Sequence, residues 1–110
     1  MLHISIPALK TFVSLVETQS YQTTGKMLYM SHSSIVRHID SIEDAVGGLV
    51  LQKFGHTRLA TALGKQVYEK AKILLAAHDT FLSEVSLLSA LDVPQYNQEV
   101  IEIHVNRYAH

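Results

Sequence analysis

No cysteine occurs anywhere in the 110 residues. That excludes a disulfide framework and any thiolate zinc site, and it suits a reducing cytoplasm. No uninterrupted apolar run approaches the ~20 residues that cross a bilayer. The opening MLHISIPALK lacks the basic flank and apolar core of a signal peptide. A Gly-rich phosphate loop, a His-Glu-x-x-His pair and a Cys nucleophile are all missing, so no enzyme is expected. The five Tyr and three Phe are scattered and form no stacking platform for single strands. His32 and His38, six positions apart, fall on different sides of a helix, and His104 and His110 crowd the end of the chain. Neither a metal nor a cofactor is therefore expected.

Charge is also sparse, with a net value of −1 and 17% charged residues. Its placement is uneven. Residues 1–65 hold six Lys or Arg against four acids, whereas residues 66–110 hold three against six. A mildly basic head on an acidic arm fits a surface that meets nucleic acid joined to one that meets a partner. Four of the seven His lie in the head. Binding to a polyanion should therefore strengthen as pH falls toward about 6.5. Hydrophobic content of 47% is enough for the core of one small helical domain.

What is there centres on Ser20 to Gly47, SYQTTGKMLYMSHSSIVRHIDSIEDAVG. It reads as two short helices joined by a tight turn. Ser20 and Ser31 stand where N-caps belong, and Gly47-Gly48 ends the second helix. Ile35, Ile39, Ile42 and Val46 form one apolar stripe at the 3.6-residue period. Ser33 and Arg37 then point away from it, with Ser34, His38 and Ser41 on a flank. Small hydroxyls, an Arg and a His near a helix N-terminus suit a groove of double-stranded DNA, where a helix-turn-helix inserts its second helix. Upstream, Ser5 caps a first helix with Pro7 in its first turn, and Leu9, Phe12, Val13 and Val16 make its buried face. Gly25, inside a helix, costs up to ~1 kcal/mol of propensity and implies close packing.

These residues bring the chain to a known family. The stretch resembles the N-terminal DNA-binding domain of LysR-type transcriptional regulators. Their pattern runs roughly Leu-x2-Phe-x3-Val, then Gly-Ser-Phe-x2-Ala-Ala-x2-Leu, then Ser-Gln-x2-Val-Ser-x2-Ile-x2-Leu-Glu-x3-Gly. Here stand Leu9, Phe12 and Val16, then Ser20, Tyr21 and Leu28. Ser31, Ile35, Arg37, Ile39, Ile42, Glu43 and Gly47 follow, and Thr61 and Gly64 match a later Leu-Thr-x2-Gly. The likeness covers about residues 4 to 90. Departures fall at Thr24-Gly25 for Ala-Ala, at His32-Ser33 for Gln-Pro, at Val36 for a Ser, and at Val50-Leu51-Gln52-Lys53 for Leu-Phe-x-Arg. Several of these are positions where the family touches DNA.

Leu49 to Phe54 and Arg58 to Ala60 read as the strands of a wing around Gly55-His56-Thr57. Lys53, His56 and Arg58 are placed to follow a phosphate backbone. Thr61 caps a helix running to about Leu91, before Pro94; thirty residues span roughly 45 Å. Its seam is Val67, Ala71, Leu74, His78, Phe81, Val85 and Leu88, widened by Tyr68, Leu75 and Leu82. So long and wide a stripe calls for a partner helix. The resemblance implies an antiparallel twin. His78 in the seam is expected to be a hydrogen-bonded interface residue. After Pro94, Glu99 to Tyr108 alternates as a strand does. The starting Met and the lack of a tag favour a naturally short chain without a ligand-sensing domain.

The expectation is a mainly α fold: a winged helix-turn-helix over 1–60, a long linker and dimerisation helix over 61–92, and a tail with a short terminal strand over 93–110. The expected function is sequence-specific double-stranded DNA binding as a homodimer in the cytoplasm, with no membrane role. The candidate DNA contacts are His32, Ser33, Ser34, Arg37, His38, Lys53, His56 and Arg58. The alternative is an interaction protein that pairs with a larger LysR-type regulator or another protein.

Overall fold

Three serines set where the first three helices begin. The Ser5 hydroxyl accepts from the Ala8 N–H at 3.1 Å and starts α1, Ile6–Thr18. Ser20 accepts from Thr23 at 3.0 Å and starts α2, Tyr21–Leu28. Ser31 accepts from Ser34 at 3.1 Å and starts α3, His32–Val46. Each satisfies an N–H that the helix itself leaves unpaired. Pro7 sits in the first turn of α1, where its missing N–H costs nothing. The helices end on left-handed residues: Gln19 at φ 61°, Tyr29 at φ 56° and Gly47 at φ 81°. The computed structural model describes residues 3–91, so the expected strand over Glu99–Tyr108 lies outside the described residues.

Ala8, Leu9, Phe12 and Leu15 of α1 meet Ile35, Ile39 and Ile42 of α3 to form the core, with Val50 beneath them. The apolar face of α1 thus runs through Leu15, which is fully buried. Val13 and Val16, expected inside, are half-buried against the core. Buried polar groups are largely paired. Thr24, standing where an Ala was expected, bonds Thr18 through its hydroxyl at 2.9 Å. Thr11 donates to the Pro7 carbonyl at 2.8 Å. Gly25 permits the close turn into α3, since a Cβ there would lie 2.8 Å from the Met30 carbonyl oxygen.

After α3 the Glu43 carboxylate accepts the Val50 N–H at 2.9 Å, and the Val50 carbonyl accepts from Thr61 at 3.1 Å. These bonds occupy Val50's backbone, so the hairpin begins later than the sequence suggested. β1 is Leu51–Phe54 and β2 is Thr57–Ala60, antiparallel, with Phe54 opposite Thr57. The turn is the pair Gly55-His56, with positive φ at Gly55, where a II′ turn places glycine.

Thr61 caps α4, Ala62–Leu91: its hydroxyl accepts from Gly64 at 2.9 Å and donates to the Leu49 carbonyl at 2.7 Å. The chain divides into two units, one ending at Ala76 and one starting at Ala77. In the first unit, Ala71 is 4% exposed and belongs to the core, with Val67, Tyr68 and Leu75 packed against it. Val67 and Ala71 are members of the expected dimer seam, and Tyr68 and Leu75 were expected to widen it. Ala71, and in part Val67, are covered within their own unit, where Gly64 sits against the Val50 backbone and Tyr68 bonds Glu17 of α1. In the described part of the second unit, Ala77–Leu91, no residue is buried. An 18-residue window of α4 reaches a mean hydropathy of 1.3. By length and composition that would cross a membrane, although no uninterrupted apolar run is long enough.

Candidate nucleic-acid interface

The basic side chains gather by a chain of local causes. Gln19 ends α1 in the left-handed region, and its carbonyl accepts the Arg58 N–H from β2 at 3.1 Å. That bond ties the wing to the start of α2. Tyr21, the first residue of α2, then lies between two neighbours. The Arg58 guanidinium sits 4.8 Å from its ring centroid. The His32 ring meets its edge, with centroids 4.8 Å apart at 73°.

Around this contact is an open cleft of about 950 Å³ between α2, the start of α3 and the wing. Its lining includes Lys26, His32, Lys53, His56 and Arg58, and no carboxylate. Four of the expected DNA contacts, His32, Lys53, His56 and Arg58, therefore share one surface. A concave wall of one charge sign focuses potential on an incoming polyanion.

The other candidates stand on α3 itself and do not line the cleft. Ser33 and Arg37 are exposed, while Ser34 and His38 are half-buried. Ser31 donates to the Ser34 hydroxyl at 3.0 Å, and Arg37 reaches back to that hydroxyl at 3.4 Å. The Arg is thus steered along the N-terminal half of the helix. Asp40 and Asp44 are exposed farther along. The helix consequently presents donors at its start and carboxylates toward its end.

Sequence reasoning missed Tyr21, Gln22 and Lys26, which also line the cleft. Gln22 and Lys26, one helical turn apart, were legible as an outward face of α2. The role of Tyr21 was not, because it depends on contacts with residues 11 and 37 positions away in the chain.

The dimer-seam candidates are divided. Leu74, Phe81, Val85 and Leu88 are exposed, at 49%, 60%, 44% and 64%. His78 is half-buried, and its Nδ1 has no hydrogen-bond partner among the described residues.

The model of the bacterial regulatory helix-turn-helix proteins of the lysR family matches residues 6–65, more than half of the chain. A curated relative, the probable HTH-type transcriptional regulator LrrA of Synechococcus elongatus, is 28% identical over 88 residues. That match takes in 80% of this chain and 30% of the relative. Among solved structures, the BenM DNA-binding domain in complex with benA site 1 DNA is similar at 25% identity and a TM-score of 0.71. The match covers 77% of this chain and 99% of that one. Vibrio fischeri DarR in complex with DNA shares the fold at 21% identity and a TM-score of 0.75, over 81% of this chain and 30% of that one. A helix-turn-helix of the right spacing, a basic wing beside it and the family match all agree: the chain belongs to the LysR family of bacterial regulatory helix-turn-helix proteins.

Proposed function

We propose that this chain is a transcriptional regulator that binds double-stranded DNA sequence-specifically as a homodimer in the cytoplasm. The carrying observation is the carboxylate-free basic cleft beside the exposed start of α3. Arg37 reads a base edge, since Arg is the usual bidentate partner of guanine in the major groove. Ser33, Ser34, His32 and His38 lie near it. Lys53, His56 and Arg58, together with Lys26, hold the flanking phosphates. Asp40 and Asp44 tilt the rest of α3 away from the backbone by repulsion. No cofactor takes part.

Dimerisation is supported by the uncovered apolar side chains of α4, among them Leu74, Phe81, Leu82, Val85 and Leu88. Its charges support the same reading. Lys65, Lys70 and Lys72 stand with Glu69 in the first half, while Asp79 and Glu84 stand without a base in the second. An antiparallel copy would set the basic half against the acidic half. A dimer then carries two heads and reads a palindrome with half-sites about one helical turn, or a multiple, apart.

The test is a gel-shift of the purified chain on its own upstream DNA across a salt series. Affinity should fall linearly in log–log form as salt rises. A chain that shifts no DNA at low salt overturns the reading. The exposed apolar stretch of α4 favours one second reading, in which the chain pairs with a larger LysR-type regulator. Co-purification with such a regulator, without a homodimer, would select it.

A further inference from the structure

We infer that Tyr21 is the positioning residue of this surface: its ring holds the Arg58 guanidinium of the wing inside the cleft, ready for a DNA phosphate. The inference rests on the DNA reading above. A two-stranded hairpin is only marginally stable by itself, and a long Arg side chain loses rotamer freedom when it binds. Here Arg58 is fixed at both ends. Its backbone N–H is held by the Gln19 carbonyl at 3.1 Å, and its guanidinium lies 4.8 Å from the centre of the Tyr21 ring. A face-on ring restrains the planar group by cation–π attraction yet consumes none of its N–H donors. One N–H reaches the Thr57 carbonyl at 3.5 Å, and the guanidinium lines a cleft whose other charged lining groups, Lys26 and Lys53, are both cationic, with His32 and His56 beside them. No carboxylate there competes with a phosphate.

The same ring meets His32, the first residue of α3, edge-on. One side chain therefore touches the wing and the recognition helix together. Tyr21 sets their relative placement before DNA arrives, which lowers the ordering cost of binding.

The experiment is a double-mutant cycle on the full chain, with Tyr21→Leu, Arg58→Ala and both together. Fluorescence anisotropy follows binding to a duplex that the wild-type chain selects from a random-sequence pool, at several salt concentrations. Tyr21→Leu should weaken binding roughly threefold to thirtyfold. It should also flatten the salt slope by about one, as Arg58→Ala does. Adding Arg58→Ala to Tyr21→Leu should then change nothing further, and Tyr21→Phe, which keeps the ring, should bind as wild type does. A purely structural Tyr21 would lower the melting temperature with additive effects and an unchanged slope, and that result overturns the inference. If the wild type selects no duplex, the DNA reading falls and this role falls with it. If it binds and Tyr21→Leu binds equally, only the role of Tyr21 falls. Should Tyr21→Leu fail to fold, proton NMR of the wild type decides. Arg58 side-chain signals shifted by the ring current support the inference, and unshifted ones overturn it.

Discussion

Arg37 and Gly64 show two ways in which one residue matters to this domain. Arg37 is exposed, and among the described residues its side chain hydrogen-bonds the Ser34 hydroxyl of its own helix. Removing it should leave the fold alone. Arg37→Ala is expected to cost about 1–3 kcal/mol of specific DNA binding and to relax one base position. Selection from a random pool, compared with wild type, checks both effects. Unchanged specific binding would assign this face to a protein partner instead. Gly64 does the reverse. It is buried in the first turn of α4, and a Cβ there would strike the backbone of Val50. Backbone yields less readily than a side chain. Gly64→Ala should therefore lower stability by about 1–3 kcal/mol. A melting curve unchanged from wild type would show that α4 can slide away from Val50.

At the scale of elements, the join between α4 and α1 has a titratable bond. The Tyr68 hydroxyl donates to the Glu17 carboxylate at 2.7 Å. That bond, foremost, raises the phenol above its ordinary 10.0. The fold favours the neutral phenol. Its contribution is therefore complete below pH 10 and is lost as pH climbs through the raised value. In an ultraviolet titration Tyr68 should ionise above its ordinary 10.0, and Tyr68→Phe should delete that late step. If the late step persists in Tyr68→Phe, it belongs to another tyrosine. The elements themselves were legible in the sequence to a large degree. Ser5, Ser20, Ser31 and Thr61 are small hydroxyls set just before periodic apolar stretches, so their capping follows from local chemistry. The start of β1 was not legible, because Glu43 and Thr61 claim the backbone of Val50 from outside the strand. Nor was the fate of Ala71. A periodic stripe tells which side of a helix is covered but not whether its own domain or another chain covers it. The cleft was half legible: its basic residues could be counted along the chain, while the ring that gathers two of them, Arg58 and His32, belongs to tertiary structure.

The whole molecule poses the question of what covers the far half of α4. Phe81 is 60% exposed there, with Leu82 and Val85 near it. Phe81→Asp would place a carboxylate among these side chains. It should convert a dimer into monomers or insoluble protein, as light scattering will report. A wild-type chain that is already monomeric at micromolar concentration would show that this stretch is not a dimer seam. A chain that instead sediments with lipid vesicles would direct attention to its membrane-like hydropathy.

The lysines at the start of α4 and the carboxylates toward its end have one more consequence. Every peptide unit of a helix leaves its N-terminus partly positive and its C-terminus partly negative. Here the first turn carries no acid and the last turn no base. Lys65 in the first turn thus opposes the field of the helix, and no base in the last turn offsets it. A peptide of residues 62–91 should be weakly helical when dilute and become helical as it is concentrated. Folding and assembly of this segment would then be a single event. Circular dichroism over a dilution series would show it, and a helicity independent of concentration would show that the segment stands without a neighbour.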